Sequence, residues 1–443
     1  MHLVIIGNGV AGITTARWVR KRSDMRITVI SAETDYHFSR TALMYIYMGH
    51  MRFEHTKPYP DDFWAKNRIE LVRGFVTQID TDHKRLLLED GREIFYDKLV
   101  VATGSKPNKF GWPGQDLPGV QGLYSLQDLE LLERNTANIS KAVIVGGGLI
   151  GVELAEMLQS RNIPVTFLVR EKYFYDIILP QAEAKLISRH ILEHGIDLRL
   201  ATELKEILPG KDGRVRAVIT HRDEEIPCQF VGLTVGVHPN IDVVRHSKIE
   251  TQRGVLVNDY LETNIPDVYA AGDCAEIKVE GPGARNRIEQ LWYTGRLQGE
   301  ALARILCGER KKYDRGIWFN SAKFFDLEYQ TYGQVSNVPR ETEGSFYWEH
   351  ADGKHCLRIA FEKPGQAVIG MNAIGLRLRH RVCEQWIREQ RPLDFVIRNL
   401  AAAHFDPEFY RRYEAEILRA YQESAAQREQ VSEAGKRQIN ASA

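Results

Sequence analysis

The sequence predicts an α/β fold of two Rossmann-like units followed by a C-terminal α+β region. Three observations carry this prediction. The opening stretch HLVIIGNGVAG, beginning at His2, is nearly copied by KAVIVGGGLIG, beginning at Lys141. In each copy an apolar, β-branched run leads into G-x-G-x-x-G, then a helical pattern, then a second apolar strand. That is the βαβ order that gives such glycines their meaning. Beyond about residue 316 the pattern changes to strand-like alternation.

In the first copy, Leu3 to Ile6 reads as a buried parallel strand and Gly7, Gly9 and Gly12 follow it. The first glycine permits the tight turn, the second lets a pyrophosphate approach the backbone, and the third lets helix and strand pack closely. Val10 and Ala11 open the helix, where unpaired N–H groups and the helix dipole favour an anion. The second strand, RITVIS, is followed by Glu33, about 20 residues on, where a carboxylate can bind ribose hydroxyls. The second copy repeats each part. AVIV is the strand, and Gly146, Gly148 and Gly151 carry the spacing, with Leu149 and Ile150 at the helix start. VTFLV follows, then Arg170 and Glu171. Two copies, each in full βαβ context, predict two bound dinucleotides.

The 443 residues suffice for two or three domains with their own cores. Lys+Arg and Asp+Glu both total 59, which argues against a nucleic-acid partner. No apolar run approaches a membrane-spanning length. The first strand begins at Leu3, leaving no room for a secretory signal before it, so a soluble cytoplasmic protein is expected. Five cysteines stand apart, at 228, 274, 307, 356 and 383, without a CxxC pair. They read as small core residues, Cys274 included, and no metal site is expected.

Two later segments, KLVVATGSKP (Lys98 to Pro107) and NIPDVYAAGDCAE (Asn264 to Glu276), each read as a strand ending in a small-residue turn. With GNGVAG, ATGS, GGGLIGVE, VGVHPN (Val235 to Asn240) and AAGDCAE in this order, the chain resembles the pyridine nucleotide–disulfide oxidoreductase superfamily, in its non-disulfide branch. The resemblance covers roughly the first three quarters of the chain and implies a glutathione-reductase-like fold. It also implies that the first glycine turn binds FAD and the second NADH or NADPH. By the same resemblance the ATGS turn (Ala102, Thr103, Gly104) and the Gly272-Asp273 turn belong to the FAD site, Asp273 holding the ribityl and pyrophosphate region, and Gly236 lies in VGVHPN. The domain order expected is an FAD-binding domain from 1–119 and 245–315, an NAD(P)H-binding domain at 120–244, a C-terminal interface domain at 316–405 and a helical tail at 406–443. In the family the third domain usually forms a dimer interface, so a homodimer is expected. Within it, YWEHADGKHCLRIAFE reads as a hairpin about Asp352-Gly353, and the last residues, SEAGKRQINASA, read as frayed.

The resemblance also points to where chemistry occurs. Glu153, in GVE on the first turn of the second glycine helix, is placed to face flavin and nicotinamide; a helix-dipole role for the same residue is the plain alternative. Ferredoxin-reductase relatives carry R-P-x-x-S-K where this chain has YHFSRTALMYIYMGH; Arg40 fits that pattern, and Tyr45 stands where the lysine would be. His37, Arg40 and Tyr45 are therefore candidates for the substrate side of the flavin, Arg40 counting also as a cofactor ligand. No cysteine occurs there, so dithiol and sulfenate mechanisms are not expected. RNRIEQLWYTGRLQG resembles the family's helix beside the flavin ring and makes Glu289 and Trp292 candidates for contact with it. Arg170 suits the 2′-phosphate of NADPH and Glu171 the hydroxyls of NADH, which leaves the donor open.

The function implied is transfer of hydride from nicotinamide to FAD, and then of electrons to an acceptor such as a small redox protein. The chain is similar to NAD(P)H–rubredoxin and –ferredoxin reductases and to the flavin part of nitrite reductase large subunits. It lacks the cysteine clusters of a whole nitrite reductase. Two alternatives stay open: a peripheral NAD(P)H:quinone reductase, and a slow flavin-binding redox sensor.

Overall fold

A computed structural model describes residues 1–281, 283–405, 408 and 411–426. The tail segment SEAGKRQINASA lies outside the described residues. The chain gathers into two compact units. One holds Met1–Arg170 with Ile196–Arg315, and the other holds Glu171–Gly195 with the chain from Gly316 onward.

The first unit is built on two parallel five-stranded sheets. The first sheet has the order Val268–Ala270, Lys98–Val101, His2–Ile6, Arg26–Ser31, Ile69–Arg73, every neighbouring pair parallel. Its three inner strands are short and mostly apolar on both faces, as burial between layers requires, and Leu3, Val4 and Ile5 are fully buried. The second sheet has the order Asp197–Arg199, Val165–Leu168, Ala142–Val145, Phe230–Leu233, Val120–Gln121, again all parallel. In both sheets the strand before the glycine turn is central. The strand after the first helix lies on one side of it, and a strand from much later in the chain lies on the other. The predicted pair of Rossmann-like units is thus realised as two sheets with matching connectivity.

The helices Val10–Arg20 and Leu149–Ser160 start at the second glycine of each turn, with Gly9 and Gly148 as N-caps in extended conformation and no side-chain cap. Their first N–H groups are therefore left for another partner. Helix Trp292–Leu306 packs on Val10–Arg20 through small residues. A Cβ on Gly299 would lie 2.7 Å from the Ala11 carbonyl oxygen, so only glycine permits this approach. Helix Leu126–Thr136 begins with a reciprocal cap: Ser125 accepts from Asp128 N–H at 3.0 Å, and Asp128 accepts from Ser125 N–H at 2.8 Å.

The second unit holds a five-stranded antiparallel sheet in the order Phe319–Phe324, Leu327–Gly333, Val368–Ile374, Cys356–Glu362, Glu343–Glu349. The hairpin expected about Asp352-Gly353 joins the last two of these, with Gly353 at φ +68°. Helices His380–Arg388 and Leu393–Arg398 contribute to one core with the sheet, around Tyr332, Trp348, Ile359 and Trp386. Helix Gln181–Glu193 belongs to this unit as well. Its Glu183 is fully buried and takes two bonds from the Arg358 guanidinium, at 2.6 and 2.8 Å. Buried charge is tolerated when paired in this way. Residues 414–426 of the tail are helical.

Candidate functional site

The two glycine turns are geometric copies. Gly7 has φ +114° and Gly146 φ +112°, a region that L side chains rarely adopt. A Cβ on Gly7 would lie 2.1 Å from the Ala102 carbonyl oxygen, and one on Gly146 2.6 Å from that of Thr234. In both turns the third glycine then faces the first: a Cβ on Gly12 would sit 2.1 Å from Gly7 O, and one on Gly151 2.6 Å from Gly146 O. The middle glycines differ from these. A Cβ on Gly9 would meet nothing within 4 Å, and one on Gly148 only the Thr234 carbonyl at 3.9 Å. Open space before a helix N-terminus is what a diphosphate needs.

The first turn opens into a cavity of about 720 Å³. Gly7, Gly9, Val10 and Ala11 form one part of its wall, Glu33, His37 and Arg40 another, and Ala102, Thr103 and Gly104 a third. Gly272, Asp273 and Trp292 line it as well, and so do Ile150 and Glu153 from the helix of the second glycine turn. Gly12 stands behind this wall, in the helix–strand packing.

Its polar groups are held in a connected network. Arg40 donates to both Glu33 oxygens, at 2.8 and 2.5 Å, and to the Tyr124 carbonyl at 2.6 Å. Glu33 Oε1 also accepts from Leu126 N–H at 2.9 Å, at the start of a helix. A carboxylate offers about four acceptor sites, so one remains for a hydroxyl. Burial pushes the Asp273 carboxyl above its usual range, outweighing the bond that Ser105 Oγ donates at 3.0 Å and the nearby Arg40 charge. Ser105 Oγ in turn lies 2.9 Å from Gln290 Nε2, and Ser105 N–H donates to the Tyr124 hydroxyl at 2.9 Å. Burial, ahead of the Asp273 charge, pushes Tyr124 up to about 12. His37 Nδ1 lies 2.7 Å from the Asn8 carbonyl; burial first, then the Arg40 and Arg17 charges, lower its pKa to about 4, so the ring is neutral at pH 7.

The other sequence candidates lie elsewhere. Tyr45 does not line this cavity; its ring stacks on His50 with centroids 6.2 Å apart. Glu289 is buried, but inside an ionic cluster: Tyr313 OH donates to it at 2.7 Å, and Gln298 and Arg315 approach at 3.3 and 3.4 Å. Gln298 also accepts from the Gly272 N–H at 2.7 Å, so the cluster supports the turn that carries Asp273. Gly146, Gly148, Leu149 and Gly151 form the second turn, away from the cavity wall. Arg170 is exposed and Glu171 partly exposed just beyond the strand Val165–Leu168. Gly236, at φ +84°, accepts from Asn108 N–H at 3.0 Å.

Two cavity residues escaped the sequence reading. Ser105 was within reach, as the last residue of ATGS. Tyr124 directly precedes the S-x-x-D cap at Ser125.

A sequence signature described as pyridine nucleotide-disulphide oxidoreductase matches residues 1–299. The chain is 29% identical over 356 residues to an assimilatory nitrate reductase electron transfer subunit of Bacillus subtilis, covering 79% of this chain and 45% of that protein. It spans about half the length of the Bacillus relatives it matches. It is 31% identical over 340 residues to a ferredoxin–NAD(P)(+) reductase of Sphingomonas sp., covering 75% and 80% of the two chains. Among solved structures, the NADH:rubredoxin oxidoreductase of Clostridium acetobutylicum matches with a TM-score of 0.69 at 26% identity, covering 90% of this chain and 99% of that one. With its two glycine turns, its GD turn and a signature spanning two thirds of its length, the chain belongs to the pyridine nucleotide-disulphide oxidoreductase family.

Proposed function

We propose that the chain is an FAD-dependent NAD(P)H oxidoreductase that passes electrons from a nicotinamide nucleotide, through flavin, to a small redox protein. One observation carries this reading: residues of both glycine helices, Val10 and Ala11 from one and Ile150 and Glu153 from the other, border the same cavity. Flavin, when bound, supplies the redox chemistry, taking a hydride and releasing electrons to an acceptor. The chain supplies placement and charge. The Val10–Arg20 helix start receives the diphosphate at the open space before Gly9. Glu33 offers its remaining acceptor site to a ribose hydroxyl. Asp273 and Ser105 fix the hydroxylated chain between ring and diphosphate. Glu153 stands at the second helix start, on the nicotinamide side. Arg40 lends positive charge to the cavity, and its bond to Glu33 fixes where that charge sits.

The acceptor follows from chemistry and kinship. Among the described residues no cysteine lines the cavity, so a dithiol relay between flavin and acceptor is not part of the reading. Two of the relatives named above are reductases of ferredoxin and rubredoxin, which supports an acceptor of that class. Arg170 and Glu171 leave NADH and NADPH both in play.

Anaerobic stopped-flow mixing with NADH and then NADPH tests the reading. Rapid bleaching of flavin absorbance by one nucleotide, followed by reoxidation on adding a rubredoxin or ferredoxin, is the expected result. A purified protein without flavin, or one bleached by neither nucleotide, contradicts it.

A further inference from the structure

We propose that His190, His194 and Asp326 form a binding site for one divalent metal ion of the zinc class, which fastens the Gln181–Glu193 helix to a β-hairpin of the second unit. The sequence RHILEH puts two imidazoles four residues apart, on one face of this helix and its C-cap. The third ligand comes from the turn between Phe319–Phe324 and Leu327–Gly333. Phe325, at φ +56°, makes that turn tight, and its ring stacks on His194 with centroids 4.5 Å apart. This contact delivers Asp326 to both rings. His190 Nε2 lies 2.6 Å and His194 Nε2 3.1 Å from Asp326 Oδ1. All three ligand atoms lie within 4.8 Å of one another. Tetrahedral zinc with bonds of about 2.0–2.1 Å needs ligand separations of roughly 3.3 Å, within small side-chain adjustments of these distances.

The proton inventory points the same way. His194 Nδ1 lies 3.0 Å from the His190 carbonyl, which only accepts, so the ring carries its proton on Nδ1. In the neutral ring Nε2 then turns a lone pair toward the Asp326 carboxylate, also an acceptor, and a cation between them, metal ion or proton, resolves that opposition. The same Nδ1 bond is the outer-shell contact that typically orients a metal-bound histidine. His190 is 1 % exposed, and its Nδ1 is buried with no hydrogen-bond partner among the described residues. As a neutral donor through Nε2 it leaves that nitrogen idle. On metal binding the proton moves from Nε2 to Nδ1, which faces Glu193 Oε2 at 3.9 Å, an ion-pair distance that a small turn of the glutamate closes to a hydrogen bond. The Asp326 side chain is 63 % exposed, which leaves an entry path and room for a water ligand.

The test uses flavin-loaded full-length protein, dialysed against chelator and titrated with zinc chloride by calorimetry and thermal melting. Binding of about one zinc ion per chain is expected, with a rise in melting temperature. Asp326→Asn and His194→Gln keep similar size at part-exposed positions and are expected to weaken binding at least about tenfold. His355→Gln, in the separate His350, Asp352, His355 group, is expected to leave it unchanged. Absence of binding by the unmodified protein overturns the proposal, as does undiminished binding by Asp326→Asn and His194→Gln or loss of binding in His355→Gln.

Discussion

Arg40 grips Glu33 at two points, Nη1 on Oε1 at 2.8 Å and Nη2 on Oε2 at 2.5 Å, within the wall of the large cavity. Arg40→Ala leaves a carboxylate that is 19 % exposed without its counter-charge, and removing one partner of such a pair costs more than the pair contributes. Flavin retention after desalting is expected to fall about tenfold in affinity, near 1.4 kcal/mol. Arg40→Lys, which cannot bond bidentately, is expected to recover only part of it.

The middle and outer glycines should separate binding from folding. Gly9→Ala meets nothing within 4 Å in the chain itself, so flavin-free protein should melt as before while flavin binding falls. Gly148→Ala should do the same for the nicotinamide nucleotide, leaving the flavin in place. Gly12→Ala drives a Cβ into the Gly7 carbonyl and should lower stability outright, by about 1–3 kcal/mol. Differential scanning fluorimetry with flavin fluorescence reads all three; equal loss of melting temperature in Gly9→Ala and Gly12→Ala would contradict the assignment.

His37 sets an acid limb. Its folded pKa, lowered to about 4, lies below the usual 6.5, so the unfolded chain takes up a proton first as pH falls. Stability on this account is flat above pH 6.5 and declines between 6.5 and 4, by up to about 3 kcal/mol. Melting temperatures of wild type and His37→Gln across that range check it: the variant should show the shallower decline.

No cysteine should matter to turnover. Cys228 and Cys383 are buried and pushed up to about 12 by that burial, and burial raises the Cys274 and Cys356 thiols as well. Alkylation of the native protein with iodoacetamide is expected to leave flavin reduction by nicotinamide nucleotide unchanged. A large loss on alkylation would put a thiol in the electron path.

What the sequence made legible is the part that depends on local order. The strand, glycine turn and helix of each copy lie within some 30 residues, and both appear where the pattern puts them. The hairpin about Asp352-Gly353 was equally readable, since turn and alternation sit side by side. Hidden was whatever depends on residues far apart. Nothing near Glu33 announces that the Leu126 N–H, 93 residues on, will occupy one of its acceptor sites. Nothing near Glu289 shows that Tyr313 will close over it. Helix Gln181–Glu193 carries no mark that its Glu183 pairs with Arg358, 175 residues on. Burial and pairing across such separations are settled by the packed fold, to which periodicity is blind.

The carbonyl oxygens that fill the space beside Gly7 and Gly146 belong to residues 102 and 234. The contact that bars a side chain from each turn is thus made only after synthesis has passed residue 102 or 234. The large cavity waits longer still, since Asp273 and Trp292 are translated only after the whole second parallel sheet. The full wall of the dinucleotide cavity therefore exists only once synthesis has reached Trp292, about two thirds of the way along the chain.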